Sequence, residues 1–481
     1  MKYRVFLIQS LLTLAASLGC SDSSNAVSTD GTDSATDATD GTDGTDGADG
    51  TDGTDGTDGT DAADGTDGTD GTDGTDGAGK TVAVSDAITA DTTWTTGNTY
   101  VLESHVFVEG GTLTIEPGVT VKGKAGTSLV VTTSARLEAV GTAEAPIVFT
   151  SNEPLGQRGP GDWGGVVLLG SAPLNVEGGS ESIEGFPAGG DRTVYGGNDP
   201  AHDCGTLKYA RIEFAGFELE KDNELNALTV GGCGTGTEID FVQVHLGADD
   251  GVEMFGGTAN LRHIVISQPD DDGLDWDLGW TGTVQFLVLQ QNGLVGDNGI
   301  EADSNKNDND ATPRAAPTLW NTTWIGSNAA PGTAGKTQSA FLFRRGTAGT
   351  IKNAVVAHFT DFAIQVNDAS STDLLASGEL AIQSSLWWDN GDKTDAVVAQ
   401  SDVDGVDVAA LVAAAGSGNE LLDPQLTNAL DLDAPNFLPK AGSPALQGGE
   451  TPPVGFDTTA TYYGAFGTDD WTAGWAAYPA D

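Results

Sequence analysis

Positive charge is what this chain has least of. Its 481 residues carry 20 Lys and Arg against 71 Asp and Glu, a formal net charge of −51. Phosphate backbones and anionic membrane surfaces would be repelled, so nucleic acid is excluded as a partner. Divalent cations are the natural counter-ions. Cysteine is nearly absent, with only Cys20, Cys204 and Cys233. The five histidines are scattered and show no zinc spacing. After the first twenty residues no apolar run is long enough to cross a bilayer. Long helical periodicity is missing too; residues 406–415 (VDVAALVAAA) form the one segment with a helical reading.

What is present begins with an export-type segment. Lys2 and Arg4 precede a mostly apolar run, residues 5–18, that ends at Gly19-Cys20. This resembles a bacterial lipoprotein signal and makes Cys20 the expected lipidation site, with Ser17 departing from the usual leucine. Ser21 favours outer-membrane or cell-surface sorting under lipoprotein rules, and plain secretion is the alternative. The membrane partner would be reached through the lipid anchor only.

Residues 21–80 hold a tract in which Asp recurs every third position, mostly as Thr-Asp-Gly, with no Lys or Arg between Cys20 and Lys80. Such a segment cannot bury a core and is expected to be a disordered acidic linker spanning about 40 Å or more. Residues 74–81 (GTDGAGKT) fit the phosphate-loop expression by accident. A working phosphate loop joins a buried strand to a helix, and here it would join an acidic tract to a strand.

From residue 81 the pattern changes to short alternating β-branched runs broken by Gly and Pro-Gly turns. Three stretches then repeat: residues 248–255 (ADDGVEMF), 270–277 (DDDGLDWD) and 296–303 (GDNGIEAD). Aligned on Gly251, Gly273 and Gly299 they lie 22 and 26 residues apart, about one coil of a solenoid. The expected fold class is all-β, a right-handed parallel β-helix over residues 81–481, with a C-terminal cap from about 420. Stacked coils would bring equivalent side chains to roughly 4.8 Å. Alternation sends Val252, Leu274 and Ile300 inward, and Glu253, Asp275, Glu301, Asp277 and Asp303 outward. The expected metal ligands are therefore Asp249, Asp250, Glu253, Asp271, Asp272, Asp275, Asp297 and Glu301. Calcium is the expected ion because it takes six to eight oxygens in loose geometry. The competing reading is that these are solvated turn aspartates bonded to their own backbone. Cys204 and Cys233, each before a Gly-Thr turn in successive coils, are disulfide candidates.

This organisation resembles a family of bacterial surface-anchored parallel β-helix lipoproteins of pectate-lyase-like fold. The likeness rests on residues 161–165 (GDWGG), 248–258 (ADDGVEMFGGT), 271–285 (DDGLDWDLGWTGTVQ) and 463–475 (YGAFGTDDWTAGW), and covers roughly 85–480. It implies a fold and a surface location, and no activity. The expected role is a non-catalytic, calcium-stabilised module for adhesion to a glycan or cell-envelope component. Trp280, Trp387 and Trp388 are the candidate glycan contacts. One alternative is a polysaccharide lyase or glycoside hydrolase using Arg344, Asp277 and Asp303. The Gly-His-Gly and Arg-Ile-Lys motifs of pectin-type hydrolases are missing, and a salt bridge ending the acidic run is the favoured account of Arg344. Another alternative is a purely structural envelope protein. Residues 303–310 (DSNKNDND) half-match a calcium loop and lack its sixth-place glycine and terminal Glu.

Overall fold

The computed structural model describes residues 79–186, 190–220, 223–328, 338–391, 399–414 and 416–480. The expected export segment with Cys20, and the expected linker up to residue 78, lie outside the described residues. The described residues fall in one compact unit, 74–481.

The alternating runs pair in parallel into two large sheets, of ten and eighteen strands. In the ten-stranded sheet one inward position can be followed coil by coil. Val106, Leu129, Val166, Leu228, Val252, Leu274, Ile300, Phe341 and Ile364 are successive partners. All of them are buried in one continuous core. This is an all-β parallel β-helix, as the spacing predicts. Each coil alone could not bury its apolar side; stacking buries it against the coils above and below.

From the strand Gly205–Glu213 onward the eighteen-stranded sheet is bent at one equivalent position in successive coils. Tyr209, Phe241, His263, Phe286, Asn321, Asn353 and Ser384 occupy equivalent positions, with φ of 47°, 55°, 47°, 63°, 53°, 54° and 48°. A left-handed residue breaks the pleat, so one long strand such as Glu238–His245 turns from one face of the coil to the next. The repeat glycines answer a different demand. A Cβ on Gly251 would lie 2.8 Å from the carbonyl oxygen of Gly273, and one on Gly273 would lie 2.6 Å from that of Gly299. The three glycines that first reveal the repeat are thus the points where consecutive coils approach too closely for a side chain.

Cys204 and Cys233 are bonded to each other, both fully buried, and join adjacent coils. The helical segment of residues 406–415 shortens to Val408–Val412. A second helix, Ala369–Ser377, was not expected from its Ser- and Thr-rich sequence. Its ends explain it: the Asp368 carboxylate accepts from the Ser371 N–H at 2.8 Å, and Gly378 closes it with φ 84°. Leu374 and Leu375 anchor it to the core.

The segment expected as a cap from about 420 takes a different place. From residue 423 the chain runs back over the outer face of the eighteen-stranded sheet. Outward amides of the sheet stitch it down. Gln290 donates to the carbonyls of Ala429 and Asp431 at 2.9 and 2.8 Å. Asn353 donates to Glu450 at 2.8 Å and Asn321 to Tyr462 at 2.7 Å. Gln243 accepts from the Ala477 N–H at 2.9 Å. Outward Val265, Val288, Ile325 and Ala357 find partners in Phe437, Phe466 and Trp475 of this strap.

Candidate cation-binding face

On the outside of the ten-stranded sheet, one column changes character along its length. Its successive members are Phe107, Val130, Val167, Thr229, Glu253, Asp275, Glu301 and Leu342. Its apolar end is covered by Ile183, Phe186 and Tyr195, from the insertion between Val166–Leu169 and Gly205–Glu213. Its middle is acidic. The turn before it is also in register: Asp297 donates its N–H to the Asp271 carbonyl at 2.9 Å, and Gly251 to the Asp272 carbonyl at 2.9 Å. Acids 22 to 26 residues apart therefore become neighbours.

Two convergent groups result. Asp249, Asp250 and Asp271 each offer an oxygen within 4.8 Å of the others, and so do Asp250, Glu253 and Asp275. Asp250 belongs to both. Asp272 is engaged elsewhere. Its carboxylate accepts from the Asn298 amide at 3.0 Å, as the Asp250 carboxylate accepts from the Asp272 N–H at 2.9 Å. That ladder ties coil to coil. Neither Asp297, a charge neighbour of Asp272, nor Glu301, bonded to Arg344, is a member of the two groups.

Burial, reinforced by the neighbouring carboxylates, pushes Asp250, Glu253, Asp272 and Asp275 well above the ordinary carboxylate range. Burial and then Asp271 push Asp249 up to about 7. Carboxylates dominate the charges around these five, although Arg344 reaches Asp275. The other end of the face is neutralised differently. Register survives the long insertion after residue 303, and Arg344 bonds both Glu301 and Asp303, the latter at 2.8 Å; Arg345 also bonds Asp303. Burial alone would weaken the Arg344 proton, but the bond to Asp303 and the charge of Glu301 outweigh it and hold the guanidinium above its ordinary pKa. A group so held cannot serve as a base. Asp277, pushed by burial and by Asp303 up to about 7, sits between the two regimes.

Several members of the site escape the repeat. Glu184, from the insertion, bonds Glu253, and burial pushes it up to about 7. Asn226 donates to Glu253. Three enclosed oxygens of this face have no partner among the described residues: Asp275 Oδ1, Asn226 Oδ1 and the Thr229 hydroxyl. Asn226 and Thr229 are 1% and 0% exposed. A weaker copy of the motif, residues 226–232 (NALTVGG), could have revealed them, since Leu228 pairs with Val252 and Thr229 with Glu253. Nothing local marks Glu184.

The remaining candidates disperse. Trp280 and Trp387 are completely buried, Trp280 donating to the Ala259 carbonyl at 3.0 Å and Trp387 packing edge-on to Phe341; neither can be a surface platform. Trp388 is 37% exposed. In the half-matched calcium loop, Asn305 binds the Asn307 N–H at 2.8 Å and its amide holds the Asn175 carbonyl at 2.9 Å, while Arg314 pairs with Asp310. That loop closes on itself and on the insertion.

Among family models, that of the pectate-lyase-like beta-helix domain matches residues 86–476. No curated protein and no solved structure matches the chain.

Proposed function

This chain belongs to the pectate-lyase-like β-helix domain family, and on that premise we propose that it is a non-catalytic, calcium-stabilised module of the cell envelope. Its exported location and lipid attachment at Cys20 are read from the N-terminal sequence. Its role is adhesion to a glycan or envelope component. One observation carries the calcium reading. Asp250, Glu253 and Asp275 converge within 4.8 Å of one another, and Asp275 Oδ1 is enclosed and unbonded beside them. The donor set is oxygen throughout, from carboxylates, the Asn226 carbonyl and the Thr229 hydroxyl. Such a set suits a hard cation of high coordination number better than the strict octahedron of magnesium.

Millimolar calcium is expected to raise the melting temperature, and the rise is expected to vanish when Asp250→Ala and Asp275→Ala are combined. Equal melting curves in calcium and in chelator would remove the proposal. A glycoside hydrolase using Asp277 as its acid is the second reading, favoured by that group's retention of a proton up to about 7 beside Asp303. It requires reducing ends to appear from a polysaccharide panel and to disappear in Asp277→Asn.

A further inference from the structure

The fold spends its tryptophans on the interior: Trp163, Trp276, Trp280, Trp324, Trp387 and Trp475 are all fully buried. Trp388 is the one aromatic among the exposed large apolar side chains of the described residues. It stands in the strand Leu386–Trp388, held against Val355–Ala357, so its backbone is fixed. Beside it the strap begins and leaves a groove of about 450 Å³. The groove is walled by Trp388, Leu430, His358, Asp423, Gln425, Asn428 and Lys440.

The polar wall keeps much of its hydrogen-bonding capacity. Asp423 gives one oxygen to the Gln425 N–H at 2.7 Å and keeps the other. Asn428 uses its amide N–H on Asp431 at 2.9 Å and keeps its carbonyl. The side chains of Gln425 and Lys440 have no bonding partner among the described residues. Nine other Lys and Arg side chains among the described residues are paired with a carboxylate. The wall itself is braced, because the Lys440 N–H bonds the Gln425 carbonyl at 2.9 Å.

A flat apolar plate ringed by both donors and acceptors suits a ligand with an apolar ring face and a hydroxylated rim. A lipid would leave the polar rim unpaired, and a small ion would leave the indole bare. We propose that this groove binds a pyranose ring of a polysaccharide, stacked on Trp388, with its hydroxyls taken by Asp423, Gln425, Asn428 and Lys440. The proposal rests on the glycan-contact reading above and assigns it to this groove, apart from the acidic face.

Calorimetric titration of the folded protein with a soluble neutral β-glucan and with a soluble uronate polymer tests it. Binding of either polymer should weaken at least tenfold in Trp388→Ala and recover in part in Trp388→Phe. Lys440→Ala then identifies the source of the ring, weakening a uronate ligand, which loses a charge partner, several-fold more than a neutral one, which loses a hydroxyl bond. Failure of both polymers to bind, or binding that Trp388→Ala leaves unchanged, overturns the proposal. Melting of Trp388→Ala in calcium separates this from the cation face. A retained calcium shift confines any failure to the groove, whereas sugar binding without a calcium shift removes the cation reading and leaves the groove standing.

Discussion

At the scale of the residue, Asp275 is under opposing demands. It faces outward in a strand, which the alternation requires, yet its Oδ1 is enclosed without a bonding partner. Glu301, Asp303 and Asp272 all raise the cost of its charge. Removing that charge should act oppositely in two conditions. Without a divalent cation, Asp275→Asn is expected to melt higher than the parent, by roughly 2 °C for each kcal/mol of repulsion relieved. With calcium the order should reverse, because the variant has lost a ligand. Parallel melting curves in chelator and in calcium read the crossing directly. A variant destabilised in both conditions would mean that Asp275 is a packing residue and not a ligand.

At the scale of the element, arginine neutralises one end of the acidic face. Its later coils use Arg344 and Arg345, which the register sets opposite Asp303 and Glu301. Arg344→Ala would leave Asp303, whose side chain is only 4% exposed, without one of its two guanidinium neighbours. The expected cost is about 3 kcal/mol in urea unfolding, similar in calcium and in chelator, because the loss lies outside the cation cluster. A variant of parental stability that had lost a polysaccharide-cleaving activity would instead support the enzyme reading. The insertion between Val166–Leu169 and Gly205–Glu213 matters at the same scale. It covers the apolar end of the outward column and contributes Glu184 to the acidic end.

At the scale of the whole molecule, the charge of −51 is unevenly distributed in its consequences. Exposed acids are screened by water and salt, whereas burial holds protons on part of the stacked set. Asp249, Asp277 and Glu184 keep theirs up to about 7 in the folded state. The unfolded chain releases them near the ordinary carboxylate values of about 4. Between those limits these three groups bind more protons in the folded state, so their contribution to cation-free stability is full below about 4 and is lost as pH rises through about 7. Saturating calcium should flatten that decline by replacing protons as they leave. Calorimetric melting across this range, in chelator and in calcium, checks both slopes. A stability that rises with pH in chelator would contradict the raised carboxylates and with them the cluster.

Coil length, strand identity, the inward and outward assignment of each acid and its neighbours along the column were all legible in the chain. Alternation and repeat spacing are local properties, and Gly251, Gly273 and Gly299 mark where coils touch. What the tertiary structure alone decided was coverage. Trp280 and Trp387 resemble surface platforms until the coils close over them, and only the start of the strap makes a groove of Trp388. Glu184 joins Glu253 because a long insertion returns to the sheet, and Val265 and Val288 are outward yet buried because residues 423–480 lie across them. A short-range pattern specifies which way a side chain points from its own strand. Whether it then meets water, another acid or a covering segment depends on contacts between parts of the chain far apart in sequence, and no local signal records those.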